Sequence, residues 1–425
     1  VIFNNTKTFL SYLYALPKKH SKSDLSYIQK ILHVLGDPQD RVKTIHVTGT
    51  NGKGSTSYYL SHLLEKAGQK TGLFVSPYVF EFGERMQIDG KNMTDSAMLK
   101  TANQIENALY KIRKLDPDFS LVTFEYEVAM SFVYFAKEKC DFAVIEVGIG
   151  GQHDKTNVII PEVSIITTIG LDHEKIIGPT IQDIAYEKSG IIKKNRPLVV
   201  GNIPREVMPI INKRAVKQHA ACYKMGQNFK IFLNKKLIYQ DNEHHLSFLP
   251  RPKVESYDIA VALKAFFLLQ LQLSDRQIID TINQTVIPGR YQILQAQPLI
   301  ILDGAHNQQA MKNLLNFVHQ QQNLRKATVR ILIMIMRDKD LDPIFSLFKE
   351  TDRVNLTTID YPRAAKLEDF PKKIKNKYPY WLDWKVAYAS LKHESKSNDI
   401  LVVTGSFYLV GNILRLEESN ESSRD

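Results

Sequence analysis

The chain has 425 residues, more than one hydrophobic core usually serves, so two domains are expected. A hydrophobic share of 44% beside 24% charged residues excludes a disordered or fibrous chain, and no apolar run approaches the roughly 18 residues of a membrane span. The formal charge of +11 admits polyanions, but Lys and Arg are spread along the chain, which favours solvated faces or small anions such as phosphates and polycarboxylates over nucleic acid.

In chain order, residues 44–48, 71–75, 142–147, 163–169 and 198–201 read as short apolar strands. Amphipathic stretches alternate with them, the pattern of a mainly parallel sheet covered by helices. Helices are predicted over 55–67, closed by Gly68, and over 98–114 and 124–137. Residues 218–255 are polar and less periodic, with a hairpin turn at Asn234, Lys235 and Lys236. The alternation then restarts: 299–303, 330–335, 353–359, 385–388 and 400–404 read as strands of a second, smaller α/β unit. A boundary near Pro288 gives domains 1–288 and 289–425, the second a smaller α/β unit. The polar tail 417–425 is expected to fray. Cys140 and Cys222 form no CxxC pattern, so neither a disulfide framework nor a thiolate metal site is expected, and the compartment should be the cytoplasm.

The strongest chemical signal is HVTGTNGKGS at 46–55, placed after a predicted strand and before a predicted helix. Thr48, Gly49, Thr50, Asn51, Gly52, Lys53, Gly54 and Ser55 form a candidate phosphate loop. Its glycines let backbone amides close around phosphate oxygens, the helix presents its positive end, and Lys53 adds a charge. A glycine-rich turn is the bland alternative, because the spacing departs from GxxxxGK[ST]. Elsewhere the bland readings come first: Ser76 before Pro77 is a turn residue, His173 a capping or core histidine, and Lys188 a solvated helix-end cation. Glu146 is an ion pair or a ligand, and Asp303 a helix cap or a functional carboxylate.

TGTNGKGS resembles the loop of the Mur ligase superfamily, and GKGS its folylpolyglutamate synthase branch. FVSPYVFEFGERM (74–86), IEVGIGGQHDKTN (145–157), GLDHEKIIGPTIQDIAYEKSGII (170–192), PGR (288–290), LDGAHN (302–307), RDKD (337–340) and TGSFYL (404–409) are similar to further family segments, in order along nearly the whole chain.

The resemblance implies an N-terminal P-loop ATPase domain (1–288), a smaller Rossmann-like glutamate-ligase domain (289–425), and a sequence of two substitutions in a cleft that excludes water. A folate γ-carboxylate attacks ATP, and the amine of L-glutamate then displaces phosphate from the acyl phosphate. It implies Mg²⁺, two ions, held by Ser76, Glu146 and His173, with Lys188 joining after carbamylation. That step requires a neutral amine, hence burial or a nearby cation. Asp303, His306, Arg290 and Ser406 are assigned to nucleotide and glutamate contacts, with Lys188, His173, Asp303 and His306 as the catalytic set. Glu84, Arg85, Asp154 and Thr156 are assigned to substrate. Asp258 stands where the family usually has an adenine-contacting Asn, and an ionised carboxylate cannot donate as an amide does. Gly83 is a second departure, before ERM. The implied partners are folate, L-glutamate and ATP, with no nucleic acid and no membrane, and the implied form is a monomer. Dihydrofolate synthase activity, alone or in addition, is the alternative within the class; a nucleic-acid-dependent or regulatory NTPase is the alternative outside it.

Overall fold

The computed structural model describes residues 2–20 and 24–422. These form two compact units: one holds the residues up to Ser76 together with Phe82–Thr285, the other holds Pro77–Glu81 and the residues from Val286 onward.

The first unit is built on an eight-stranded sheet. Its strands are β1 (Lys43–Thr48), β2 (Thr71–Phe74), β3 (Met86–Ile88), β4 (Lys91–Asn92), β5 (Phe142–Glu146), β6 (Val163–Ile166), β7 (Leu198–Val200) and β8 (Cys222–Lys224). They lie in the order β4-β3-β2-β5-β1-β6-β7-β8. Only the edge pairings of β3, with β2 and with β4, are antiparallel. Thr44 to Thr48 are all buried, because β1 is flanked by β5 and β6 and covered on both faces; that is why it reads as an almost unbroken apolar run. Central placement also sets the site. The carboxyl ends of β1, β5 and β6 stand side by side, the position at which open α/β sheets gather ligands. The helix Lys53–Lys66 starts there, two residues earlier than the sequence indicates.

A three-stranded antiparallel sheet completes this unit: β9 (Phe229–Asn234), β10 (Lys236–Asp241) and β11 (His245–Phe248). Lys235, at φ 55°, makes the expected turn between β9 and β10.

The second unit carries β12 (Gln292–Ala296), β13 (Leu299–Leu302), β14 (Val329–Ile333), β15 (Arg353–Thr357), β16 (Tyr380–Trp381) and β17 (Ile400–Thr404), ordered β12-β13-β17-β14-β15-β16. Only β12 runs antiparallel to its neighbour. Successive side chains of a strand point to opposite faces, and the cores divide accordingly. Leu299, Ile301, Ile331, Ile400 and Val402 enter one core, whereas Ile300, Leu302, Leu332, Leu401 and Val403 enter the other.

Two sequence expectations fail. Residues 385–388 belong to a helix, Trp384–Glu394, not a strand: Asp383 caps it by accepting from the Lys385 and Val386 amides at 2.7 and 3.4 Å, and Ala387, Tyr388 and Leu391 form its buried stripe. The tail does not fray from Glu417, because the last helix runs Phe407–Ser422; residues 423–425 lie outside the described set. Among the described residues no helix is long and apolar enough to cross a membrane.

Candidate active site

The loop between β1 and the helix Lys53–Lys66 is fastened from β6. The Thr50 amide donates to the Thr168 carbonyl (2.9 Å) and the Asn51 amide to Thr168 Oγ1 (2.9 Å), while the Thr167 and Thr168 hydroxyls donate to the Asn51 carbonyl at 2.6 and 2.9 Å. Thr48 Oγ1 donates to the Gly150 carbonyl at 2.5 Å. Gly52, at φ 83°, is the residue before the helix, and a Cβ there would stand 2.1 Å from Asp258 Oδ1. Both conformation and space therefore require glycine. The same contact puts the buried Asp258, on the helix Lys253–Leu268, directly against the loop. Lys53 Nζ rests on the Gly49 carbonyl at 3.0 Å, folded back over the loop.

Glu146, the last residue of β5, is buried beside this helix start: a Cβ at Gly54 would lie 3.6 Å from its Oε2. That oxygen accepts the Ser76 amide at 2.9 Å, and the Ser76 hydroxyl accepts from Arg85 Nη1 at 3.1 Å. Arg85 is in turn paired with the buried Glu127 at 3.4 Å. Glu84 is also buried, and its carbonyl accepts from Gln87, which donates as well to the Tyr58 hydroxyl, both at 2.9 Å. Glu84 and Glu146 both help to raise the pKa of Tyr58, after burial. Sequence reasoning missed Tyr58, Glu127, Thr167 and Thr168; nothing in their spacing links them to a loop reached only through the order of the strands.

Among the described residues no group of three or more His, Cys, Asp or Glu side chains stands together for a metal. The oxygens of Ser76 and Glu146 are hard donors next to a phosphate loop, a set that fits Mg²⁺, which keeps water and phosphate ligands. His173 sits at φ 54° on an exposed turn, neither core nor a side-chain cap, with Nε2 3.8 Å from Asp172.

Lys188 departs from its bland reading. It lies in the last turn of the helix Ile181–Ser189 and is 4% exposed. The cause is the glycine pair of the EVGIGG segment. A Cβ at Gly151 would stand 2.8 Å from the Glu187 carbonyl and 3.0 Å from Lys188 Cα, so the loop packs on the helix end as no larger residue could, and Gln152 donates to the Glu187 carbonyl at 2.8 Å. Burial first, and the positive charge of Lys53 second, lower the Lys188 pKa to about 7, against the opposing pull of Asp172, Asp154 and Glu187.

Asp154 and Thr156 organise that loop. Asp154 accepts from the Ile149 amide (2.9 Å), the Thr156 amide (3.0 Å) and the Thr156 hydroxyl (2.5 Å), and burial raises its pKa. His46 Nε2 meets Thr156 Oγ1 at 2.8 Å, and burial drives the imidazole down to about 3, so it is neutral.

In the second unit, buried Asp303 follows β13. Its oxygens accept the Tyr291 amide at 2.9 Å and the Ala305 amide at 2.8 Å, tying the turn that carries Arg290 to the strand end. It does not cap the next helix: Asn307 does, accepting from the Ala310 amide at 2.8 Å. Burial raises the Asp303 pKa while Arg290 opposes. The Arg290 guanidinium lies over the Phe407 ring at 4.5 Å. His306 Nδ1 is 2.8 Å from the Gly304 carbonyl; a carbonyl only accepts, so Nδ1 carries the hydrogen. Ser406 Oγ accepts the Tyr408 amide at 3.1 Å at the start of the last helix. Tyr408 is half-buried and stacks on Tyr361 at 4.4 Å.

A phosphate loop after the central strand of a parallel sheet, followed by a second α/β unit, defines a P-loop α/β protein of two units. The chain belongs to the Mur ligase family. Residues 47–269 match the Mur ligase middle domain and 289–407 the Mur ligase glutamate ligase domain. It is 31% identical to the folylpolyglutamate synthase of Lacticaseibacillus casei, over 96% of this chain and 97% of that one. Among solved structures it is similar to E. coli FolC in complex with DHPP and ADP (27% identity, TM-score 0.87, 98% and 99% of the two chains covered). It is also similar to the bifunctional folylpolyglutamate synthase/dihydrofolate synthase from Yersinia pestis complexed with AMPPNP and Mn ion (27%, TM-score 0.87, 98% of both).

Proposed function

We propose that the protein joins L-glutamate to the γ-carboxylate of a folate, converting ATP to ADP and phosphate. The observation that carries this reading is the convergence of Lys53, Glu146 and Ser76 on the start of the helix Lys53–Lys66, in a chain that matches both Mur ligase domains.

A carboxylate is a poor acyl donor because oxide is a poor leaving group, so the γ-carboxylate first takes the terminal phosphoryl group. The amides of Gly52 to Ser55 at the helix end hold the triphosphate, and Lys53 offsets the charge that grows on the transferring oxygens. Ser76, Glu146 and His173 would hold Mg²⁺, which when bound screens phosphate charge from the incoming carboxylate. Lys188 we assign to a carbamate: its neutral amine adds to carbon dioxide, a C–N bond forms, and a proton leaves, so that a cation becomes an anion suited to a second such ion. Glutamate's amine then attacks the acyl carbon and phosphate departs. His306 Nε2 is the acceptor for the amine's proton, and Asp303 holds the Arg290 turn in place. Asp258, pressed on Gly52, positions the loop from behind. Glu84, Arg85 and Ser406 are assigned to substrate, and Asp154 and Thr156 act on it through the loop they brace.

Dihydropteroate is a second acceptor under the same chemistry, favoured by the double name of the Yersinia pestis relative. The test is ADP release with each substrate alone and in pairs. Folate with glutamate should drive turnover, and dihydropteroate with glutamate should do so if both activities are present. ATP turnover indifferent to both would overturn the ligase reading.

A further inference from the structure

We propose that Glu127 is a positioning residue for the metal: through Arg85 it sets how strongly Ser76 holds a divalent cation. This rests on Mg²⁺ binding at Ser76 and Glu146, and it adds a residue that the proposed ligation leaves unused.

Glu127 lies on the helix Thr123–Lys137 among Tyr126, Val128, Ala129 and Met130, all buried, and is itself 2% exposed. An apolar side chain would serve packing better there, because burying a carboxylate is costly unless it is paired. Its ion-pair partner is Arg85, whose side chain is 11% exposed. Burial raises the Glu127 pKa, while Arg85 first and Lys18 second pull it down. Lys18 Nζ itself donates to the Tyr14 carbonyl and the Thr123 hydroxyl, each at 3.2 Å.

Arg85 joins this carboxylate to the metal site. The β2–β3 ladder sets it beside Ser76: Phe74 pairs with Met86, and the Val75 amide donates to the Arg85 carbonyl at 3.1 Å. One nitrogen then serves both groups, Nη1 donating to Ser76 Oγ at 3.1 Å and standing 3.4 Å from Glu127 Oε2. A hydroxyl oxygen has two lone pairs, so Ser76 can take the guanidinium hydrogen on one and a divalent cation on the other. Two cations that share one oxygen repel each other at close range. The Glu127 carboxylate, on the same nitrogen, offsets the guanidinium charge and holds that group on Ser76. The ladder fixes the Arg85 backbone without it, so Glu127 governs the guanidinium alone.

The test reads metal binding and not ligation. The full chain with AMPPNP, without folate or glutamate, is titrated with Mn²⁺, and water proton relaxation reports the protein-bound ion. Glu127→Gln, which keeps the shape and removes the charge, should bind Mn²⁺ about fivefold or more weakly. In an Arg85→Met background the same substitution should change binding by less than about twofold, because the route to Ser76 is gone. Glu127→Asp keeps the charge but withdraws it from Nη1 by one methylene; it should lose about two- to threefold, and it carries the test if the amide variant does not fold. A purely structural ion pair would lower the melting temperature of Glu127→Gln and leave its Mn²⁺ affinity as it was. No protein-bound Mn²⁺ in the unaltered chain would overturn the metal placement itself. Unaltered affinity in Glu127→Gln and Glu127→Asp, or an equal loss with and without Arg85, would overturn the role of Glu127 alone.

Discussion

Lys188 offers the deepest test because its surroundings set its reactivity. Carbamate formation needs the free amine. With burial and Lys53 holding its pKa at about 7, about half of the molecules present that amine at neutral pH, against roughly 3 in 10,000 for a solvated lysine. The site therefore raises the reactive fraction about a thousandfold. The sign follows from the lowered pKa: the amine is protonated below about 7 and free above it. Enzyme stripped of carbon dioxide in acid should regain activity, at fixed dissolved CO₂, at a rate that rises about tenfold per pH unit below neutrality and levels off above it. Lys188→Ala should lose about a hundredfold or more in kcat, with partial return on adding acetate. Lys188→Arg should stay as low, since it keeps the charge but cannot form the carbamate at neutral pH. Reactivation still climbing at about pH 10, where ordinary lysines titrate, or near-normal activity of Lys188→Arg, would refute the reasoning.

Lys53→Ala should lower kcat/KM by about a hundredfold or more with an unchanged melting temperature, because the side chain rests on the loop and supports no core. Glu146→Gln and His173→Ala should each shift the Mg²⁺ titration of activity by about tenfold or more; identical titrations for both would remove them as ligands. Gly151→Ala should destabilise the protein by about 1–3 kcal/mol, read as a lower denaturant midpoint, because its Cβ meets the Glu187 carbonyl at 2.8 Å.

What the sequence made legible was whatever depends on local pattern. Strands buried on both faces, such as β1 and β5, announce themselves as apolar runs, and the phosphate loop follows from glycines and a lysine between strand and helix. Strand and helix were confused at 385–388 because Lys-Val-Ala-Tyr is too short to show a period; the cap at Asp383 decides it. The two-residue strands β4 and β16 have no room for a pattern at all. Burial of Lys188 was illegible for a different reason. A lysine in a last helical turn reads as solvated until the Gly150–Gly151 loop, nearly forty residues earlier, is seen packed on that turn. For Asp303 the sequence left helix cap and functional carboxylate open, and the capping role belongs to Asn307.

The acyl phosphate itself is open to direct measurement. With folate labelled by ¹⁸O in its γ-carboxylate, turnover with ATP and L-glutamate should place a labelled oxygen in the released phosphate, because the bond that breaks on amide formation joins the acyl carbon to a former carboxylate oxygen. Phosphate that carries no label while the γ-glutamyl product accumulates would contradict the account.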